Sequence, residues 1–160
     1  MPPAKKPLSA TTDPKPAGRL DDQLCFALYA ATNAITRMYR PLLTELGLTY
    51  PQYLVLLVLW ERAPIRLGEI AKELDLASHA VTPIIDRLEE MGLVRRTQDS
   101  TDGRAVAVEL TARGKSLEPS AATVQKAMKS ATRLKNEEIA NLRDELREDA
   151  RRDLDRLNPL

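Results

Sequence analysis

The chain is poor in the residues that carry most catalytic and metal chemistry. It has one cysteine and one histidine in 160 residues. A single cysteine cannot form a disulfide within the chain, and a single histidine gives neither a histidine-based metal site nor a Cys–His–Asp triad much to build on. We therefore expect no cofactor, no bound metal and a soluble protein of the reducing cytoplasm.

The net charge is small, and the chain has no long apolar run. The 24 basic and 23 acidic side chains leave a net charge of +1, so any contact with DNA must come from local placement rather than from an overall positive field. No apolar run approaches the roughly 18 residues that span a bilayer. The basic N-terminus is followed by Pro, Thr and Ala, which does not resemble a secretory signal.

Aromatic residues make up only 4% of the chain, and the apolar residues are mainly Leu, Ala, Ile and Val at helical spacing. This pattern predicts a mostly helical protein with one domain, or one domain plus an oligomerisation arm. Residues 1–18 differ, because they hold five of the eleven prolines and no aromatic or β-branched aliphatic residue. We expect a disordered, weakly basic tail there.

The first predicted helix contains the cysteine. Asp21 and Asp22 stand where a helix begins and Gly47 where one ends, which puts Cys25 in or just past the first turn. The helix dipole favours a thiolate there and the aspartates oppose it, so the balance stays open. Inert packing is the alternative role for a lone cysteine. One face of this helix carries Leu24, Leu28, Ala31, Ile35, Met38, Leu42 and Leu46.

A core helix comes next. Thr49 is placed to cap its N-terminus, with Pro51 in the first turn. The run Leu54–Trp60 is apolar on all sides, so other elements must cover it. We expect Trp60 to anchor that packing.

Two short helices follow the core helix. Apolar positions at helical spacing predict helices over residues 67–74 and 78–91, joined by only three residues and ended by Gly92. Two helices with so short a connection form a helix-turn-helix, whose second helix can enter a major groove of DNA. Asp86 and Glu90 lie on the exposed face of that helix, where their carboxylates would repel phosphates.

Two β-prone runs, residues 93–97 and 105–110, flank a polar segment and predict a hairpin directly after the helix-turn-helix. Such a hairpin is a wing. Wings carry basic tips into an adjacent minor groove, and Arg104 has that place and chemistry. The fold class is therefore mainly α with a small β-wing.

The remaining chain predicts further helices. Thr111 caps one that runs through Leu117, Val124 and Met128, with Pro119 as a kink or early-turn residue. Asn136 caps a final helix with a charged face and an apolar face. We expect residues 19–47 and 112–160 to form a helical dimerisation region around a winged helix-turn-helix lobe, residues 48–111, because their apolar faces have no other cover.

This order of elements resembles the winged-helix regulators of the MarR family. Leu110-Thr111-Ala112-Arg113-Gly114 matches their Leu-Thr-x-x-Gly helix start. Three further segments resemble the organic hydroperoxide regulators, often called OhrR, within that family, as does Thr82-Pro83 in the second helix of the helix-turn-helix. They are Gln23-Leu24-Cys25-Phe26-Ala27-Leu28-Tyr29, Tyr39-Arg40 and Leu48-Thr49-Tyr50-Pro51-Gln52-Tyr53. The resemblance covers about residues 20 to 157.

The resemblance implies that Cys25 is oxidised by peroxide while Tyr39 and Tyr50 hydrogen-bond its thiolate. Helical rise limits how this works, because Tyr39 follows Cys25 by fourteen residues, about 21 Å at ~1.5 Å per residue. The tyrosine must then come from the partner subunit of a homodimer, as the resemblance also implies. Tyr29, four residues after Cys25, can neighbour it within one helix.

The chain departs from those family members that carry a second, resolving cysteine, because it has none. Oxidised Cys25 must therefore pair with a small cellular thiol, form a cyclic sulfenamide or over-oxidise. A thiol peroxidase is disfavoured for the same reason and because no basic residue lies within a turn of Cys25.

The predicted partner is double-stranded operator DNA with pseudo-palindromic half-sites. Arg87 could instead pair with an acidic neighbour, and strand alternation points either Arg95 or Arg96 away from a groove. The predicted DNA-binding residues are Ser78, His79, Thr82, Pro83, Arg87, Arg95, Arg96 and Arg104, with Asp102 supporting the wing.

These features predict a redox-sensing repressor that binds the operator when Cys25 is reduced and releases it after oxidation by organic hydroperoxide. The alternative is a repressor of the same fold that is released by a small apolar or phenolic ligand, with Cys25 structural.

Overall fold

The computed structural model describes residues 18–157, without the side chains of residue 151 and residues 153–157. The predicted N-terminal tail lies almost entirely outside these residues. A 3-10 turn, Leu20–Asp22, precedes the first helix. The helices are α1 (Leu24–Glu45), α2 (Tyr50–Arg62), α3 (Leu67–Glu73), α4 (Ser78–Glu90), α5 (Ala112–Ser116), α6 (Glu118–Ala131) and α7 (Asn136–Leu157), and the strands are β1 (Ile65–Arg66), β2 (Val94–Gln98) and β3 (Val106–Leu110).

This element order confirms the predicted fold class, mainly helical with a small β-wing. The chain divides into two compact units, one ending at Arg37 and the other beginning at Met38. Within the described residues no single helix is long and apolar enough to cross a membrane. Helices α1 and α2 reach that length and composition only when they are counted together, and the chain bends by 73° between them.

Helix boundaries follow local signals that the sequence carries. The Thr49 hydroxyl accepts the Gln52 N–H while the Gln52 side chain accepts the Thr49 N–H, a capping box that starts α2. Gly47 and Gly92 both have a φ of +69°, the left-handed conformation that ends α1 and α4. Asp75, with a φ of +53°, makes the turn between α3 and α4.

The sheet has one strand more than the hairpin predicted from sequence. Strand order is β1-β3-β2, with both pairs antiparallel. Ile65 pairs with Val108, and Val94 pairs with Leu110. At two residues, β1 is too short to show the alternation that identifies a strand. Its pairing ties the start of α3 to the wing.

Helix α2 lies at the centre of the larger unit. Tyr53, Val55, Leu56 and Leu59 are each at most 1% exposed, and the helix contacts α3, α4 and β3. Trp60, which we predicted to anchor the packing of this helix, forms a specific contact: its indole Nε1–H donates to the Gly114 carbonyl oxygen at 3.0 Å. The apolar helix is therefore covered as its composition requires.

The C-terminal helices differ in detail from the prediction. Thr111 does cap a helix, accepting the Gly114 N–H at 3.1 Å, but that helix ends at Ser116, and Pro119 lies in the first turn of the separate helix α6. The prediction that Asn136 caps α7 is wrong, because Asn136 is itself the first helical residue. Ala121 and Val124 of α6 join the main hydrophobic core.

Gly114 is required by close packing. A Cβ atom at this position would lie 2.1 Å from the Leu93 carbonyl oxygen, a backbone atom that cannot rotate away. Replacing Gly114 by Ala should therefore lower the free energy of unfolding by about 1–3 kcal/mol, measured by urea denaturation. Gly68→Ala is the matched control, because Gly68 lies in helix α3 and a Cβ atom added there would meet nothing within 4 Å. It should be neutral or stabilising. Equal effects of the two substitutions would contradict the packing role of Gly114.

Candidate functional site

Cys25 is the second residue of α1, which confirms its predicted position in the first helical turn. Its side chain is exposed, and no disulfide engages it. The first backbone bond of the helix joins the Ala27 N–H to the Gln23 carbonyl, so the N–H groups just before Ala27 form the positive end of the helix dipole. Asp21 and Asp22 stand in the 3-10 turn immediately before them.

Several large apolar side chains of helix α1, on either side of Cys25 and beside it, are exposed in the isolated chain. Leu24 is 69% exposed and Tyr29, one turn after Cys25, is 66% exposed. Ile35, further along the same helix, is also exposed. An uncovered apolar face of this kind is typical of an interface with another chain.

Three tyrosines form a cluster in the unit that begins at Met38. The ring centroids of Tyr39 and Tyr50 are 4.9 Å apart, and Tyr53 lies 5.7 Å from Tyr39 and 6.3 Å from Tyr50. Tyr39 and Tyr50 are the two that were predicted from sequence, and the structure brings them together. Tyr53 was missed, although its spacing of three residues from Tyr50 places both on one face of α2.

Burial raises the pKa values of these phenols, which carry a proton at neutral pH even without that shift. Desolvation, followed by the neighbouring Tyr53 and Tyr50, raises the pKa of Tyr39 to about 12. Desolvation also raises the pKa of Tyr50 and, together with Tyr50, that of Tyr53. Each hydroxyl therefore carries a proton at neutral pH and can donate a hydrogen bond to an anion.

Helix α4 presents the predicted groove-facing residues near its N-terminus. Ser78, His79 and Pro83 are exposed, whereas Thr82 is half-buried and its hydroxyl donates to the Ser78 carbonyl at 3.1 Å. Pro83 is the sixth residue of α4 and thus lies beyond the first turn. It removes one backbone donor from the helix interior.

The two acidic residues of this surface are neutralised by arginines. Arg87 donates to Glu90 at 2.7 Å, with both side chains well exposed. Arg96 of β2 pairs with Asp86 and, at 2.5 Å, with Glu89. The repulsion of phosphates that we expected from Asp86 and Glu90 is therefore reduced by ion pairing within the chain.

These pairs distinguish the predicted DNA-binding arginines from one another. The Arg96 side chain is 28% exposed and bonded to two carboxylates, and Arg95 pairs across the sheet with Glu109. An ion pair as exposed as Arg87–Glu90 is weak, so its arginine can exchange partners with a phosphate at little cost. Arg96 instead joins strand β2 to helix α4.

The wing tip is organised by two aspartates. Asp102, predicted to support the wing, accepts the Arg104 N–H at 3.1 Å, and the Arg104 side chain is exposed. Asp99 accepts from Arg66 at 2.5 Å, from the Thr101 N–H and hydroxyl, and from the Asp102 N–H. The Arg66 guanidinium, followed by Thr101, holds the pKa of Asp99 well below its usual range.

Sequence reasoning missed the Arg66–Asp99 contact. The two residues are 33 positions apart, and no local spacing connects them. Arg66 belongs to β1, so recognising that strand would have brought Arg66 beside the wing. The contact holds the base of the tip against the strand that precedes α3.

Comparison with known proteins gives the chain its family. The model of the MarR family matches residues 48–106, which extend from just before α2 to the start of β3. TtmR, an HTH-type transcriptional regulator of Methylorubrum extorquens, is 50% identical over 115 residues, which are 72% of this chain and 58% of TtmR. The chain thus spans under two thirds of that relative.

Two further matches cover more of the similar protein. The organic hydroperoxide resistance transcriptional regulator of Bacillus subtilis is 36% identical over 128 residues, 80% of this chain and 87% of that protein. The solved structure of reduced AbfR bound to DNA has a TM-score of 0.69 at 34% identity, covering 85% of this chain and 95% of that one. Identity at this level extends well beyond the winged lobe, so the chain belongs to the MarR family and is a transcriptional regulator of the MarR type.

Proposed function

We propose that this chain is a homodimeric repressor that binds operator DNA while Cys25 is reduced and releases it when organic hydroperoxide oxidises Cys25. The observation that carries the proposal is the position of Cys25, the only cysteine, exposed in the first turn of α1. The similarity to the Bacillus subtilis organic hydroperoxide resistance regulator supports the choice of oxidant. Because a regulator of this family acts on DNA, we place this protein in the cytoplasm.

The chemistry is a two-electron oxidation. The Cys25 thiolate attacks one peroxide oxygen, the O–O bond breaks, and the products are the sulfenic acid of Cys25 and, after protonation, an alcohol. A small cellular thiol then displaces hydroxide to give a mixed disulfide and water. Without such a thiol, the sulfenic acid condenses with a backbone nitrogen or reacts with a second hydroperoxide.

Tyrosine hydroxyls stabilise the thiolate in this proposal. Tyr29, one turn after Cys25, supports it from the same helix. Tyr39 and Tyr50 carry protons that they can donate, and their rings form one surface. Since the rise of an α-helix puts about 21 Å between residues fourteen apart, Tyr39 serves the cysteine of the other subunit. The exposed apolar face of α1 is the contact that brings the two chains together.

DNA reading is divided between α4 and the wing. Ser78, His79, Thr82 and Pro83 face the major groove from the N-terminal half of α4, the end that recognition helices present to base edges. Arg104 enters the minor groove from the wing tip. Of the other predicted DNA-binding residues, Arg87 contacts phosphate by leaving Glu90, Arg95 lies on the exposed edge of the wing, and Arg96 acts mainly by holding the wing on α4.

A cavity favours a second candidate function, release by a small ligand. It lies beside Trp60, measures about 290 Å³ and is mainly apolar, with two carboxylates at its walls. This space is open to solvent and lies just below the range of about 300–1,000 Å³ that is typical of ligand pockets, so it suits only a compound as small as a phenol. Its lining residues are Leu57, Trp60, Glu61, Glu118, Ala121, Ala122 and Gln125. The cysteine variant described next separates the two candidates.

Replacing Cys25 by Ser should leave DNA binding intact and abolish the response to oxidant. The hydroxyl of serine does not reduce a hydroperoxide, whereas its size preserves the helix. The measurement is fluorescence anisotropy with a duplex enriched from random sequence by the reduced protein, before and after cumene hydroperoxide. Intact mass identifies the product on Cys25.

Two results would contradict this function. If the serine variant loses DNA in hydroperoxide as wild type does, Cys25 is not the sensor. If the wild-type protein stays bound to DNA although its mass shows that Cys25 is oxidised, oxidation is not the signal. That result would favour release by a small ligand. Titration of both proteins with a phenolic acid then tests that candidate.

A mixed dimer should show which chain supplies Tyr39. One subunit carries only Cys25→Ser and the other only Tyr39→Phe, so the surviving cysteine sits in the chain that lacks Tyr39. If the partner's Tyr39 supports the thiolate, this cysteine oxidises at the wild-type rate, measured by quenched-flow mass spectrometry. Oxidation at the slow rate of the Tyr39→Phe homodimer would place the tyrosine and the cysteine in one chain.

Removing the wing-tip arginine should weaken DNA binding. Arg104→Ala is expected to cost about 1–3 kcal/mol and to reduce the dependence of affinity on salt concentration, because one charge contact is lost. Arg62→Ala is the matched control: Arg62 is also exposed, but it pairs with Glu73 of α3 and is not among the predicted DNA-binding residues. Equal dissociation constants for the Arg104 variant and wild type at one salt concentration would contradict the wing assignment.

A further inference from the structure

Arg66 connects three parts of the winged lobe. Its backbone pairs with Ala107 of β3, and its N–H donates to the Glu69 carboxylate at 3.2 Å, at the start of α3. Its guanidinium reaches the wing tip, residues 99–105, where Nε donates to Asp99 at 2.5 Å and Nη2 donates to the Thr101 hydroxyl at 3.2 Å. The strand that precedes the helix-turn-helix is therefore joined to the tip of the wing.

Asp99 divides its two carboxylate oxygens between the tip and Arg66. Oδ1 accepts from the Thr101 N–H at 2.7 Å, from the Thr101 hydroxyl at 2.6 Å and from the Asp102 N–H at 3.2 Å. Oδ2 accepts from Arg66. One oxygen therefore organises the loop of the tip, and the other attaches that loop to β1.

The same loop carries Arg104. The Asp99 N–H donates to the Ala105 carbonyl and the Ala105 N–H donates to the Asp102 carbonyl, each at 2.9 Å, which closes the tip. The Asp102 carboxylate accepts the Arg104 N–H at 3.1 Å. Asp102 is thus held by Asp99 and in turn holds Arg104. The backbone position of Arg104 therefore depends on Asp99 and, through Asp99, on Arg66.

We propose that Arg66 and Asp99 form a clamp that holds the wing tip in the conformation in which Arg104 reaches DNA. Both are positioning residues, because they act through Arg104 and not by contact with the nucleic acid. The inference rests on the proposed function, since it takes Arg104 to be the residue of the wing that enters the minor groove.

The clamp affects affinity through conformational entropy. The tip is rich in Asp, Ser, Thr and Gly, residue types that favour turns and that local sequence alone does not hold in one conformation. A tip that moves freely must be ordered when the protein binds DNA, and the loss of entropy weakens the complex. A tip that is attached to β1 beforehand presents Arg104 already in place.

The surroundings of Arg66 argue against a direct contact between its guanidinium and phosphate. The Asp99 side chain is only 14% exposed, whereas both partners of the Arg87–Glu90 pair are more than 60% exposed. A phosphate that displaced Asp99 would leave a half-buried carboxylate without its cation, which is unfavourable. Arg87 can exchange partners at little cost, and Arg66 cannot.

The first measurement needs no DNA. Arg66→Ala removes the guanidinium but keeps the backbone N–H that bonds to Glu69 and the pairing with β3. Backbone order parameters from nitrogen-15 relaxation should fall at Thr101, Asp102 and Arg104 in this variant. Unchanged order parameters would overturn the clamp, whatever the wing does on DNA.

The second measurement is affinity of the reduced protein for the duplex enriched from random sequence. Arg66→Ala should weaken binding by about three- to tenfold, and Arg66→Lys, which keeps the charge and a donor, should weaken it less. In the Arg104→Ala background, Arg66→Ala should have no further effect, because the side chain that Arg66 positions is absent. Additive losses would overturn positioning through Arg104.

Asp99→Asn separates positioning from direct contact, because the two roles predict opposite signs. The amide oxygen of asparagine can still accept from Thr101 and Asp102, but its amino group cannot accept from Arg66. A phosphate-binding Arg66 would be released by this change, so DNA binding would tighten and depend more steeply on salt. The clamp predicts weaker binding and lower order parameters at the tip, and tighter binding would overturn it.

Glu73→Gln is the matched control for Asp99→Asn. It breaks an arginine–carboxylate pair of the same lobe, Arg62–Glu73, whose side chains are 49% and 39% exposed. We expect it to change neither the affinity for the duplex nor the order parameters of the tip. Thermal unfolding of every variant shows whether the folded lobe is retained.

Failure of the clamp is distinguishable from failure of the proposed function. If Arg104→Ala weakens binding but Arg66→Ala changes neither affinity nor the order parameters, the clamp is wrong and the wing keeps its role. If Arg104→Ala has no effect on binding, the wing assignment fails, and the role of Arg66 in DNA binding fails with it. Both results are obtained on reduced protein and are independent of the response of Cys25 to oxidant.

Discussion

Burial of the apolar core of helix α2 is the constraint on which the rest of the larger unit depends. Its residues Tyr53, Val55, Leu56 and Leu59 are removed from water on more than one side, so α3, α4 and β3 must pack around it. Those elements belong to the winged helix-turn-helix, which we propose reads DNA. The same helix begins with Tyr50 and also carries Tyr53, so two of the three clustered phenols lie on the helix that α3, α4 and β3 pack against.

Much of the fold could be predicted because its signals are local. Thr49 and Gln52 lie within one turn and cap α2 by contacts between neighbours, whatever the rest of the chain does. Gly47 and Gly92 end their helices by a backbone preference of glycine itself. The first-turn position of Cys25 followed from the same kind of evidence. Boundaries of this type need no knowledge of tertiary contacts.

Several features that escaped prediction depend on residues distant in sequence. Strand β1 has two residues and exists only because β3 pairs with it. The pairing of Arg66 with Asp99 depends on that strand, and the pairing of Arg96 with Asp86 depends on how the wing rests on α4. From sequence alone, Asp86 counted as a repulsive charge. In the structure its charge is balanced instead, because Arg96 of strand β2 pairs with it.

The ion pairs of the lobe also affect how binding should respond to salt. A basic side chain contributes to counterion release only if it neutralises a phosphate, and each such contact adds about 0.9 to the slope of log affinity against log salt. Arg96 is held by two carboxylates, and Arg66 by Asp99. Their charges are balanced before DNA arrives. We therefore expect fewer arginines than the lobe contains to set the salt sensitivity of DNA binding, and we expect shape and groove contacts to carry a larger share of DNA recognition.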